Sequence, residues 1–112
     1  MHEVSAAGRI ISIASSRAGK LGFNRVKSVK VRVGAWSCIN PESLRHAFLA
    51  ASDEGPTAGA ELNIEVVTPH CTCTECGAAF EPDGFKLRCE KCGSARVVLE
   101  RGRELEVESI EV

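Results

Sequence analysis

Cys73-Thr74-Glu75-Cys76-Gly77 and, after an interval, Cys89-Glu90-Lys91-Cys92-Gly93 set the terms on which the rest of the chain is read. Two Cys-x-x-Cys turns that both end in glycine suit four thiolates converging on one tetrahedral metal ion, because glycine lets the backbone turn tightly beneath each sulfur. Zn(II) is the expected ion. A pair of disulfides would need an oxidising compartment, and a rubredoxin-like iron would accept the same sulfur ligands. With Cys73, Cys76, Cys89 and Cys92 filling every coordination position, the ion has no open site for water or substrate, so a structural or regulatory role is expected. The segment around them carries only Phe80, Phe85 and Leu87 as large apolar residues, too few for an independent core. The metal must therefore act as its staple. Asp83-Gly84 between the two phenylalanines has the composition of a hairpin turn.

Upstream of the cysteines the periodicity changes twice. From Val4 to about Leu21 apolar residues recur at Val4, Ala7, Ile11, Ala14, Ala18 and Leu21, the spacing of an amphipathic helix, and Gly22 marks its exit. From Val26 to Val33 the period is two, with Val29, Val31 and Val33 on one face and Ser28, Lys30 and Arg32 on the other. Asn40-Pro41-Glu42 then reads as a helix start, with cap, first-position proline and dipole-compensating acid, followed by Leu44, Ala47, Phe48 and Ala51. Gly55-Pro56 ends this second helix. Leu62, Ile64 and Val66 alternate with Glu61, Asn63 and Glu65 as a second strand with one buried face.

Downstream, Val97-Val98-Leu99 gives further strand signal, and Leu105, Val107, Ile110 and Val112 form a last strand whose parity slips after Val107. A bulge near Glu108 and Ser109 would return all four to one face. The expected architecture is α+β: two helices on one face of a three-stranded mixed sheet, with a four-cysteine zinc minidomain inserted before the last strand. The expected division is residues 1–69 with 103–112 for the α+β domain and 70–102 for the minidomain. On the open face of the sheet, Lys30 or Arg32 should meet Glu61, Glu65, Glu104 or Glu106.

A chain of 112 residues, 44% hydrophobic and 26% charged, has globular composition and no room for a large catalytic architecture. Its longest apolar runs fall far short of the ~20 residues of a membrane helix. The opening residues lack the pattern of a signal peptide, so a soluble, cytosolic protein with no membrane association is expected. Net charge is −1, but residues 1–70 stand at +2 and residues 71–112 at −3. Between Glu3 and Glu42 there is no acid, while Arg9, Arg17, Lys20, Arg25, Lys27, Lys30 and Arg32 are basic. Such a run is ordinarily solvated surface; the functional alternatives are a docking face for an acidic protein, or a zinc-ribbon adaptor for nucleic acid or the ribosome. Five aromatics and near-neutral charge weigh against nucleic acid.

No Ser/His/Asp or Cys/His arrangement and no glycine-rich phosphate loop stands out, so enzyme chemistry is not expected. His2 is the unusual residue. Beside the amine of Met1, its amide and imidazole can close small fused chelate rings around one ion, with the Glu3 amide or carboxylate in reach. Nitrogen donors in a plane suit Ni(II) or Cu(II). Cys71 and His70 precede the first cysteine pair and are possible alternative ligands, and Cys38 reads as a small buried apolar residue in a loop.

Met1-His2-Glu3-Val4-Ser5, Val33-Gly34-Ala35-Trp36-Ser37-Cys38 with the Pro41–Phe48 helix, the two cysteine pairs and Ser109-Ile110-Glu111-Val112 together resemble the HypA/HybF hydrogenase maturation proteins, which are nickel metallochaperones. The resemblance spans nearly the whole chain. It implies Ni(II) bound transiently through Met1, His2 and Glu3, structural Zn(II) on Cys73, Cys76, Cys89 and Cys92, and delivery of nickel to the [NiFe]-hydrogenase large subunit precursor together with the HypB GTPase. In that family the loop before the second helix often carries an acid where this chain has Asn40, a residue suited to capping the helix.

Overall fold

In the computed structural model, residues 2–84 and 86–112 are described. Helix α1 (Glu3–Lys20) has an acid in its first turn and Arg17 and Lys20 in its last, as the helix dipole favours. It ends in a Schellman turn: Gly22 takes φ 83°, its N–H donates to the Gly19 carbonyl, and the Phe23 N–H donates to the Ala18 carbonyl at 2.9 Å. Strand β1 (Ser28–Gly34) follows, then helix α2 (Pro41–Ala51) and strand β2 (Glu61–Val67). At the start of α2, Asn40 Oδ1 accepts the Ser43 N–H at 3.0 Å, satisfying one of the donors that a helix start leaves open. Strands β3 (His70–Cys73), β4 (Ala79–Phe80), β5 (Val97–Arg101) and β6 (Leu105–Glu111) complete the order.

One sheet runs β2-β1-β6, with β1 parallel to β2 and antiparallel to β6, which is the expected mixed sheet with two helices. Its register shifts between Lys30 and Val31: Ser109 opposes Lys30 and Val107 opposes Val31, so Glu108 is the extra residue of a bulge. The slip in sequence parity is accounted for there. Small residues Ala6, Ala7, Ala14 and Ala18, with Ile10, form the buried face of α1 and let it lie close to α2 and the sheet. Phe48 and Leu44 of α2 are fully buried against them, with Val29, Val31 and Val33 beneath.

Burial fades along the edge strand β2, from Leu62 through half-buried Ile64 to Val66, which is 50% exposed although it shares their face. The expected apolar face thus ends before the strand does, and Val67 is the buried residue there. On the sheet surface Arg32 pairs with Glu65 at 3.6 Å and Glu106 at 3.3 Å, as expected, whereas Lys30 pairs with the bulged Glu108 at 3.2 Å.

A second sheet, not anticipated from the sequence, runs β4-β3-β5 with both pairings antiparallel. Asp83-Gly84 does turn, with the Lys86 N–H donating to the Asp83 carbonyl at 3.4 Å, but among the described residues it joins no pair of strands: β4 takes β3 as its partner. Phe85 lies outside the described residues.

The two sheets meet at a narrow neck. The Gly34 N–H donates to the Glu104 carbonyl, the Ala35 N–H to Val67 and the Trp36 N–H to Gly102, all within 2.7–2.8 Å. A Cβ on Gly34 would collide with the Gly102 carbonyl, and Gly102, at φ 126°, has Pro69 Cα 2.7 Å from where its own Cβ would stand. Both connecting segments therefore cross directly over the end of β1, and only glycine admits that approach.

Candidate metal centre

Each cysteine pair is built by the same local device. The Gly77 N–H donates to the Cys73 carbonyl and the Gly93 N–H to the Cys89 carbonyl, both at 2.9 Å, with φ of 76° and 75° at the two glycines. The Cys73 N–H in turn reaches the Ala78 carbonyl and the Cys89 N–H the Ser94 carbonyl, again at 2.9 Å. Strand β3 carries the first turn, and Thr74, whose N–H and Oγ1 both donate to the Arg96 carbonyl at 2.9 Å, ties it to the residues following the second.

The four Sγ atoms lie within 4.8 Å of one another, Cys73 to Cys92 at 3.6 Å and Cys76 to Cys89 at 3.5 Å. A tetrahedron of sulfurs ~2.3 Å from zinc has edges of about 3.8 Å, so the donor set fits such an ion. Cys73 and Cys89 are buried, while Cys76 and Cys92 are exposed. N–H groups of Cys92 and Lys91, each 3.4 Å from the Cys89 sulfur, hold that thiol down at about 6, ahead of what burial adds in the other direction. The Cys76 N–H is the main cause lowering Cys73. At Cys92 the Ser94 N–H pulls downward but is outweighed by the local loss of hydration around its sulfur and by the neighbouring thiols of Cys73, Cys89 and Cys76, which push it to about 12 although the residue as a whole is exposed. Four thiolates this close repel one another unless a cation sits among them, so the cluster is prepared for a metal.

Cys71 is not part of the cluster. It is buried in β3 opposite Phe80 and Leu99, and burial, then Glu100, raises its thiol. His70 is tied instead to Glu81, Nε2 to Oε1 at 3.2 Å, and to Thr68 Oγ1 at 3.4 Å. Cys38, expected to be buried, is exposed at φ 66°; Ile39 takes the buried position beside it.

At the other candidate site, the expectation for Met1 lies outside the described residues. His2 is exposed and extended, φ −82° and ψ 152°, and serves as the cap residue of α1 without a side-chain bond; its carbonyl accepts the Ala6 N–H. Glu3 Oε1 accepts the Asn40 N–H at 3.0 Å, which first of all holds its carboxyl below the ordinary value. Sequence reasoning did not find that contact, because nothing local links residues thirty-seven apart. His46 is exposed on α2.

Among the described residues, partners are seen for four of the seven basic residues between Glu3 and Glu42. Arg17 donates to the Val107 carbonyl, Arg25 to Ala58, and Lys30 and Arg32 are ion-paired. No helix among the described residues is long and apolar enough to cross a membrane.

The whole chain, residues 1–112, matches the model of the family described as HypA, hydrogenase/urease nickel incorporation, metallochaperone. It is 37% identical to the hydrogenase maturation factor HypA of Chlorobaculum parvum, covering 100% of this chain and 99% of that one. The HypA of Desulfatibacillum aliphaticivorans is 41% identical, over 100% of this chain and 87% of the relative. Among solved structures, the solution structure of the Ni metallochaperone HypA from Helicobacter pylori superposes with a TM-score of 0.74 at 26% identity, covering 99% of this chain and 97% of that one. With a fold, a four-cysteine cluster and a full-length match in agreement, the chain belongs to the HypA family of hydrogenase maturation nickel metallochaperones.

Proposed function

We propose that this chain carries Ni(II) on the nitrogen donors of Met1, His2 and Glu3 and passes it to the [NiFe]-hydrogenase large subunit precursor in concert with the HypB GTPase, while Cys73, Cys76, Cys89 and Cys92 hold a structural Zn(II). The observation that carries the reading is the state of His2: an exposed imidazole at the head of α1, on backbone that makes no side-chain cap. The first amides of a helix have no acceptor within it, so the Glu3 N–H is available to metal chemistry without breaking the helix ladder. Cargo must also leave. A terminal chelate with few donors exchanges more readily than four thiolates enclosed by two turns, which divides the metals into one that is delivered and one that stays. In this reading residues 1–69 with 103–112 form the carrying unit and residues 70–102 the zinc unit.

The test is a nickel titration of the intact protein, of His2→Ala, and of a form extended before Met1. Loss of specific nickel binding in both, with the four-cysteine metal retained, is the expected result. Unchanged stoichiometry and affinity in either would move the nickel to other donors.

A further inference from the structure

Glu3 and Asn40 join the beginnings of the two helices. Asn40 is the cap residue of α2, extended at φ −81° and ψ 120°, so its own N–H lies outside the helix ladder and needs an acceptor elsewhere. Glu3 Oε1 supplies it at 3.0 Å, while Asn40 Oδ1 is spent on the Ser43 N–H at 3.0 Å. The loop leading to Asn40 is fixed at its base, where Ala35 and Trp36 donate to Val67 and Gly102. Between them stands Cys38 in the left-handed region. The bond from Glu3 thus secures the far end of the loop, next to the start of α1.

From this geometry we infer that the Glu3 carboxylate is a positioning group for the nickel site and not one of its donors: it holds the loop before α2 against the head of α1 and leaves the metal to nitrogen. The inference rests on the N-terminal nickel reading above. It is carried by the geometry: Glu3 Oε1 is already engaged as the acceptor of the Asn40 N–H among the described residues, whereas the exposed His2 imidazole makes no cap bond and Ni(II) takes such nitrogen donors. Nickel affinity should then depend on a hydrogen-bond acceptor at position 3 and not on a negative charge there. The Asn40 side chain, engaged as a cap, is likewise not a metal donor.

The experiment compares wild type, Glu3→Gln, Glu3→Ala and His2→Ala, each followed by the Asn40 amide proton resonance before and after Ni(II) is added. Glu3→Gln keeps the acceptor oxygen and should preserve the Asn40 resonance environment in metal-free protein, with nickel affinity within about threefold of wild type. Glu3→Ala should move the resonance upfield and weaken nickel binding roughly threefold to tenfold, the range one net hydrogen bond allows. Equal losses in Glu3→Gln and Glu3→Ala would overturn the inference, as would nickel driving the wild-type Asn40 resonance to the Glu3→Ala position. An Asn40 resonance unmoved by Glu3→Ala would overturn it without any metal present. His2→Ala distinguishes the two readings: it should lose nickel and keep the Asn40 resonance, and wild-type nickel binding in that variant would sink the N-terminal site itself while leaving the metal-free comparison to stand on its own.

Discussion

Single residues in this fold are assigned work by the partners that reach them. Glu3 keeps access to solvent, yet the Asn40 N–H favours its charged form and lowers its pKa from 4.5. A depressed carboxyl stabilises the fold above its unfolded pKa, and that contribution disappears as pH falls through the lower folded value. The Glu3 side-chain carbon resonance should therefore titrate with a midpoint below 4.5. In Glu3→Gln the matching acid-dependent part of the stability should be absent. At the metal cluster, Cys76→Ser leaves three sulfurs around the ion and should release metal from residues 71–100, because closure and affinity are lost together. Full metal retention in a Cys76→Ser, Cys92→Ser double variant would refute the four-sulfur site; metal analysis after gel filtration decides it.

Elements were legible in the sequence wherever one periodicity ran long enough to bury a face. Both helices, the capping by Asn40, and the β1 alternation follow from the residues, and the slip between Val107 and Ile110 pointed to a bulge that the register places at Glu108. What escaped was tertiary. Val66 keeps the alternation of β2 but not its burial, since an edge strand outlasts the helices that cover it. Strand β3 was hidden because His70-Cys71-Thr72-Cys73 reads as metal chemistry, although the same residues pair with both β4 and β5. The four cysteines were legible from spacing alone, whereas the Glu3–Asn40 bond was not. For α2, Phe48→Ala should cost ~3–5 kcal/mol, as large-to-small changes in a closed core do. Asn40→Ala should cost about 1 kcal/mol through the lost cap alone, with any further loss measuring disturbance of the loop. Denaturant unfolding of both variants checks these values, and less than ~1 kcal/mol for Phe48→Ala would mean that the core relaxes around the gap.

At the scale of the molecule, 53 × 26 × 16 Å, the two sheets depend on different forces. The β2-β1-β6 layer has two helices and a continuous apolar core, while the β4-β3-β5 sheet has short strands around the cysteine turns. Removing the metal with a chelator should disorder residues 71–100 and leave the helical far-ultraviolet signal largely intact; cooperative loss of both would show that the core does not stand alone. Between the layers, the neck admits no side chain on Gly34 or Gly102. Gly102→Ala should be strained both by its φ of 126° and by contact with Pro69, and should perturb amide resonances on both sides of the crossing.

The same crossing has a consequence for repair. His70 pairs with Arg101 at the root of the excursion, and the segments on either side of it are pinned beside Gly34 by bonds that belong to the main sheet. When the ion departs, the excursion becomes a closed loop instead of a free tail, and most of the entropy of bringing its ends together has already been spent by the folded layer. The four sulfurs then remain at a high effective concentration for one another, so that recapture of an ion is a local search within a tethered loop and proceeds without refolding the chain.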